Sequence, residues 1–440
     1  MSDFIPHGMR LAAEKLSVLS RNRFRLETVS AASASPGQII TVNLPANVLI
    51  HASSFKMHAD VKTTSVTAGG ATVYGKLPQD STSLINRLEV TINGVQIQQG
   101  SDQYNTVCRV LKLGGSTRDR DLSIDRTLAH SAMTDDAKID DETMIFSDFA
   151  GFLGSSSCKY LPTDLLGQIQ VRITLAGAEV LSNRGTAGIG AALNLAEGTL
   201  INTTPVTYSV SNIYFTVDTI AVSPVYGEML RSRIMSQGYI PILYKEWYTY
   251  GQGSITTTSY STRFALSSGS IDRLYAVQRK AQYSARTNQG VKMTDVVFGD
   301  SLCAEYFNFE SFDSSVKKDG TLNYVWNINN VQIPQFRAHC SNAMFDLAYG
   351  WAKHTGHLGN LVCSRDQWHD NCAVFTCILN LPEEPVSLMS GYDSRGSNSQ
   401  FSFDVAGLDL LGQSAIHSFV IAECTQELRV GAGLSLAVSH

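Results

Sequence analysis

The octapeptide Ile92-Asn93-Gly94-Val95-Gln96-Ile97-Gln98-Gln99 recurs 236 residues later as Ile328-Asn329-Asn330-Val331-Gln332-Ile333-Pro334-Gln335, identical at six of eight positions. Each copy reads as a strand, a two-residue turn and a returning strand. The Asn-Gly and Asn-Asn pairs tolerate the positive φ that such a tight hairpin demands. A helical pattern follows each copy. Tyr104, Val107, Cys108 and Leu111 form the first apolar stripe, with Ser101 as its expected N-cap. Met344, Leu347, Ala348 and Trp351 form the second, with Asn342 as cap. One supersecondary unit repeated half a chain apart implies two tandem copies of one β domain.

A second echo pairs Ile85-Asn86-Arg87-Leu88 with Ile271-Asp272-Arg273-Leu274 at an offset of 186. Taken with the first, it places about 50 extra residues in exposed loops of the second copy.

From Leu26 onward the hydrophobic period is two, in stretches rich in Val, Ile, Thr, Tyr and Phe. The clearest strand is Leu166 to Leu175, where Ile169, Val171, Ile173 and Leu175 face one way and Gln168, Gln170, Arg172 and Thr174 the other. Similar alternation marks Leu88 to Ile97, Val206 to Val210, Ile213 to Val217, Thr262 to Leu266 and Leu434 to Val438. Helical spacing is confined to Tyr104 to Leu111, Met344 to Trp351, Tyr226 to Ile234 and the N-terminal stretch Met9 to Leu19. That last stretch places Met9, Ala12, Ala13, Leu16 and Leu19 on one face, followed by Arg21, Arg23 and Arg25. It reads as an arm that docks on a neighbouring protein surface, three arginines being few for nucleic-acid binding.

Composition removes several function classes. Of 440 residues, 43% are hydrophobic and 17% charged, which excludes a disordered chain. Lys and Arg number 34 against 39 Asp and Glu, so the basic footprint of a dedicated nucleic-acid binder is missing. Eight cysteines (Cys108, Cys158, Cys303, Cys340, Cys363, Cys372, Cys377, Cys424) are too sparse for a disulfide scaffold, and no apolar secretory segment opens the chain. Folding in a reducing compartment is expected. No run of about 18 apolar residues suggests a membrane span.

Four clusters invite chemistry. Phe298-Gly299-Asp300-Ser301-Leu302 resembles the nucleophile block of GDSL esterases, and Asp366-Gln367-Trp368-His369 their Asp-x-x-His block. In that reading Ser301 attacks a carbonyl, His369 is the base and Asp366 its orienter. Yet the block lies mid-chain among strands, without alternating helices or a Gly-x-Asn-Asp block. His354, His357, Cys363, His369 and Cys372 are metal-type ligands whose spacing follows no zinc pattern. Asp135, Asp136, Asp140, Asp141, Glu142 and Asp148 suggest Ca²⁺ but lack the EF-hand order, and read as a solvated acidic loop. Gly185 to Gly190 lacks the Lys-Ser/Thr of a phosphate loop, and Asn202-Thr203-Thr204 is a glycosylation sequon without a secretory signal.

The order of several motifs resembles the double jelly-roll major capsid proteins of tailless icosahedral DNA viruses, including virophages and polinton-like viruses. Ile85 to Leu88, the Ile92-Asn93-Gly94 turn and Tyr104-Asn105 match one run of that family. Leu161-Pro162 with Leu165-Leu166-Gly167, entering an alternating strand, match another. Tyr324 to Pro334 resembles its second hairpin, with Asn330 in place of the usual Gly and Ile333 where an aromatic is common. The resemblance covers most of the chain.

The expectation is an all-β protein of two tandem eight-stranded jelly-roll β-sandwiches with a few short helices. Residues 1–25 would be an N-terminal amphipathic arm, 26–223 the first roll, 224–238 a linker helix and 239–440 the second roll with long inserted loops. The resemblance implies a major capsid protein that self-assembles as a homotrimer, a pseudo-hexagonal capsomer tiling an icosahedral virion shell. Its partners would be neighbouring capsomers and minor capsid or penton proteins, with an internal membrane or membrane protein met through the N-terminal arm, and no specific nucleic acid. It would be made inside the host cell without a secretory signal. No catalytic, cofactor-binding or metal-binding residue is expected. The alternatives are a jelly-roll carbohydrate-binding module and the GDSL-like esterase using Ser301; a cupin enzyme is disfavoured by the absence of a His-x-His pair.

Overall fold

The computed structural model describes residues 18–68, 71–78, 80–115, 138–185, 200–202, 206–222, 224–281, 288–289, 305–315, 319–339, 341–354, 365–370, 372–381, 389–396, 399–410, 415–431 and 435–439. In chain order the first half holds β1 (Val18–Glu27), β2 (Ile39–Asn43), β3 (Leu49–His51), β4 (Lys56–Thr63), β5 (Ser65–Ala68), β6 (Ala71–Lys76), β7 (Ile85–Ile92) and β8 (Val95–Gln98). It continues with β9 (Asp141–Phe146), β10 (Tyr160–Pro162), β11 (Ile169–Leu175), β12 (Ser182–Gly185), β13 (Leu200–Asn202) and β14 (Tyr208–Val222). After the helix Pro224–Gln237 come β15 (Tyr239–Ile255), β16 (Ser259–Ala265), β17 (Ile271–Lys280), β18 (Asn288–Gln289), β19 (Asn323–Ile328) and β20 (Val331–His339). The chain closes with β21 (Phe375–Ile378), β22 (Gln400–Ala406), β23 (Ile416–Gly431) and β24 (Leu436–Ser439).

Two sandwiches follow the same route. In the first, β1 pairs β14, β14 pairs β4 and β4 pairs β9, while the facing sheet runs β2-β11-β7-β8. In the second, β15-β23-β17-β21 faces β16-β22-β19-β20. Taking β3 and β4 as one strand broken by the turn Ala52–Ser54, each roll orders its strands first-eighth-third-sixth in one sheet and second-seventh-fourth-fifth in the other. That crossing order is the jelly roll. All pairings between these strands are antiparallel, so one face of each sheet is apolar and the two faces close on each other.

The alternation read from the sequence holds in β11: Ile169, Val171, Ile173 and Leu175 are buried while Arg172 is exposed. The repeated octapeptide forms the fourth-to-fifth-strand hairpin of both rolls. Asn93 and Gly94 take φ of 46° and 80°, Asn329 and Asn330 of 49° and 69°, the doubly left-handed turn that matches strand twist. A Cβ on Gly94 would meet nothing within 4 Å, so only backbone strain opposes it. Gly94→Ala should therefore destabilise by about 1 kcal/mol, whereas Asn330→Gly should be neutral or stabilising, as read by urea denaturation.

Both hairpins lead to helices, Tyr104–Gly115 and Ser341–His354. Their expected caps differ. The first helix starts at Tyr104, so Gln103 and not Ser101 is the residue that flanks it, and the Ser101 hydroxyl donates to the Trp247 carbonyl of the second roll at 2.7 Å. Asn342 lies inside its helix, one residue past the start.

The second echo does not mark equivalent strands. Ile85–Leu88 opens β7, the fourth strand of its roll, whereas Ile271–Leu274 opens β17, a third strand in the other sheet. Short alternating strands reuse the same residue types, so this match carries no insertion length. Nor is the N-terminal stretch helical up to Leu19: Val18 and Leu19 already belong to β1, which pairs with β14 from Val18 opposite Val222 to Glu27 opposite Tyr214. The stretch read as an arm over 1–25 thus contributes the first strand of a sheet; Met9 to Ser17 lie outside the described residues.

Candidate functional site

Each roll has its own apolar core, and the two meet along one seam. The first core gathers Val42, Val61, Leu88, Val90, Phe146, Phe152 and Phe215, and it also takes in Ile242, Tyr244, Leu428 and Val430 from the lower ends of β15 and β23. The second core, around Leu274, Tyr324, Trp326, Phe375, Phe403 and Val420, takes in Val107, Val110 and Leu113 from the helix of the first roll. Each roll therefore completes the other.

The outer edge of β15 would expose unpaired backbone groups, a liability in any sheet. Here the first roll covers it. The Leu243 and Lys245 amides donate to Ser157 Oγ at 2.9 Å and Ser155 Oγ at 2.8 Å. The Ser157 amide donates to the Leu243 carbonyl at 2.7 Å, and Thr249 donates to the Asp102 carbonyl at 2.7 Å. Tyr244, buried, donates its hydroxyl to the Ile97 carbonyl of β8 at 2.7 Å. Arg279, also buried, donates to Gln103 Oε1 at 3.0 Å and the Tyr306 carbonyl at 3.1 Å, and stacks over the Tyr306 and Phe419 rings. This set of contacts is directional as well as apolar, which fixes the seam in one arrangement.

Glu246 sits at the centre of the seam. Its carboxylate accepts from the Gln99 amide at 3.0 Å and from Tyr248 at 2.8 Å. Burial pushes its pKa up, and those two hydrogen bonds offset only part of the effect. A folded-state pKa above the unfolded one means that the folded chain holds the proton longer. Stability from this group is therefore full below the unfolded value near 4.5 and is lost as pH rises through the higher folded value. Glu246→Gln should keep the acceptor for Gln99 and abolish that fall; a melting temperature that still declines across the same range as in the parent chain would contradict it.

The sequence-proposed chemistry does not assemble in the described residues. Ser301 lies outside them, and His369 pairs through Nδ1 with Asp370 Oδ1 at 2.7 Å, a hydrogen bond that raises its pKa. His357 and Cys363 also lie outside, as do Asp135, Asp136, Thr186 to Gly190, Thr203 and Thr204; Cys372 is buried. Among the described residues no group of three metal-type ligands converges. The acidic segment is not simply a solvated loop. Asp140 is buried and accepts from the Leu77 amide at 2.7 Å and Lys76 Nζ at 3.0 Å, while Asp141 pairs with Lys62 at 3.0 Å. Fold-back onto β6 turned part of the run into structural anchors, which charge density alone does not indicate. Burial pushes the Cys108, Cys158 and Cys377 thiols up to about 12, so they are not nucleophiles. No described helix is long and apolar enough to cross a membrane.

What remains accessible is a set of unfilled edges. In β1, residues 20–25 are exposed and Leu26 only half-buried, although strand pairing is complete along the other side. β20 pairs Trp326 with Ile333 and Tyr324 with Ala338, so residues 334–337 bulge outward, and Val331 and Phe336 are 57% and 60% exposed. Neither edge could be foreseen from alternation, since a strand's pattern does not reveal which side lacks a neighbour.

No protein-family model and no curated protein matches the sequence. Solved structures do match in fold. A chain of the PBCV-1 virus capsid superposes with a TM-score of 0.58 at 13% identity, over 96% of each chain. The Faustovirus major capsid protein gives 0.53 at 10% identity over 96% of this chain and 92% of that one. A chain of the Sputnik virophage gives 0.53 at 11% identity over 96% of this chain and 88% of that one. With both rolls matched across nearly the whole length, this chain has the double jelly-roll fold found in viral major capsid proteins.

Proposed function

We propose that the protein is a major capsid protein that assembles as a homotrimer, a pseudo-hexagonal capsomer tiling an icosahedral virion shell. The observation that carries this reading is the pair of complete, identically routed rolls locked along one buried seam, with likeness to viral capsid chains over 96% of the length. Two similar sandwiches per chain let a threefold object present six similar flanks, and head-to-tail contacts that close leave a repeated rim for neighbours. The residues are those of a building block: the described thiols are buried and the buried carboxylates are hydrogen-bonded. We assign it no catalytic, cofactor or metal residue. The units are the first roll, which includes β1 from Val18 and ends with β14 at Val222, and the second roll from β15 onward, joined through the helix Pro224–Gln237. Minor capsid or penton proteins, or an internal membrane, would meet the segment that precedes β1. The purified chain should sediment as a trimer and show hexagonal outlines by electron microscopy. A stable monomer at micromolar concentration contradicts the reading.

A further inference from the structure

The two rolls provide an internal control for each other's surfaces. The repeated hairpin aligns Val95 with Val331, Ile97 with Ile333 and Gln98 with Pro334. In the first roll Ile97 and Gln98 are buried and Val95 half-buried: Tyr244 of β15 and the strand β24 lie against β8, and the Phe152 amide of the same roll holds Gln98. In the second roll each counterpart is one step more open: Val331 is exposed, Ile333 and Pro334 only half-buried. The same asymmetry holds on the other side of the seam. β15 buries Ile242, Tyr244 and Glu246 against the first roll, while its counterpart β1, equally the first strand of its roll and paired to the eighth, leaves residues 20–25 exposed and packs only Leu26, among the described residues, on its own core.

The side-chain directions agree as well. Phe24 stands opposite the buried, core-facing Val217 and is 38% exposed. Tyr244 stands opposite the buried Gln426 and is covered by the first roll. Phe24 thus lies on the side of its sheet that Tyr244 uses to grip β8. Exposed large apolar residues mark both unmatched surfaces: Phe24 on the one, Val331 and Phe336 on the other. A single chain holds one copy of the seam and one spare half of each of its two sides.

We propose that β1 of one copy docks on the β20 edge of a second copy, repeating between chains the contact that β15 makes with β8 within one. The inference rests on the trimeric reading and names the surfaces that build it. The contact is heterologous: each chain offers one β1 side and one β20 side, and it closes when three chains supply six rolls. Because the interchain contact copies the intrachain seam, edge strands that would otherwise template aggregation are satisfied by the ring itself.

The test uses three full-length proteins, the parent chain, Phe24→Asp and Phe336→Asp, examined by size-exclusion chromatography with light scattering at micromolar concentration. Both substituted side chains are exposed, and an unchanged melting temperature at low concentration verifies folding. The parent should be a trimer and each variant alone a monomer. An equimolar mixture of the two variants should form a one-to-one dimer and no trimer, because each brings one intact surface and the ring cannot close. A trimeric parent with either variant still trimeric overturns the inference and leaves the capsid reading standing. A mixture that stays monomeric overturns the head-to-tail pairing. A monomeric parent overturns the trimeric reading and the inference together.

Discussion

Phe403→Ala is expected to destabilise the second roll by about 3–5 kcal/mol, the range for emptying a fully enclosed phenylalanine site. The ring is buried, with Trp326 at 4.6 Å, Phe375 at 5.6 Å, Tyr324 at 5.8 Å and Tyr260 at 6.3 Å between centroids. These neighbours come from β16, β19 and β21, so none can collapse into the void without breaking register in its own sheet. Domain stabilities are about 5–15 kcal/mol, so the loss is a large fraction of the total. All four tryptophans, Trp247, Trp326, Trp351 and Trp368, lie in the second half of the chain. Tryptophan fluorescence in a urea titration therefore reports that roll. The midpoint should drop sharply, and because the seam joins the two cores, far-ultraviolet circular dichroism should follow the same curve. A change under about 1 kcal/mol would mean that the sandwich interior is not packed as described.

Lys245→Ala should cost about 3 kcal/mol or more, because removing one partner of an enclosed ion pair strands the other. Lys245 Nζ donates to Asp272 Oδ2 at 2.6 Å and to Thr425 Oγ1 at 2.8 Å, tying β15 to β17 across β23. The Asp272 side chain is 2% exposed. Thr425 and Ser270 still donate to its carboxylate, at 2.6 and 2.7 Å, but both are neutral and cannot balance the charge. Lys245→Met combined with Asp272→Asn removes both charges, keeps an acceptor oxygen for Ser270 and turns an amide NH2 toward Thr425 Oγ1, which has lost Lys245 as its donor. The double variant should recover part of the single variant's loss. Equal or greater damage in the double variant would show that packing, rather than the unpaired carboxylate, sets the cost.

Much of the fold was legible because its determinants are local. Ile169, Val171 and Ile173 alternate with polar residues because one side of a sheet must be dry. The Asn-Gly and Asn-Asn turns needed only the two adjacent residues that accept positive φ. Caps were misjudged by position: the helix begins at Tyr104, one residue after Gln103, and Ser101, two residues further back, binds the Trp247 carbonyl in the other roll instead. The Ile85–Leu88 echo misled for the related reason that a four-residue strand pattern specifies which side chains are wet and says nothing of which strand position they occupy.

Periodicity, turn chemistry and the repeated hairpin determined that this chain makes antiparallel sheets, twice over. Only the tertiary structure decided that β15 is covered while β1 stands open, that Asp140 is an anchor within an acidic run, and that Glu246 is enclosed at the seam. Local pattern encodes the facing of each side chain relative to its own strand. Whether that face meets water, its own sandwich or the next one depends on segments far away in the chain, such as Ser155 and Ser157 against Lys245 and Leu243 or Ile97 against Tyr244, and their arrival is settled by packing of the whole chain.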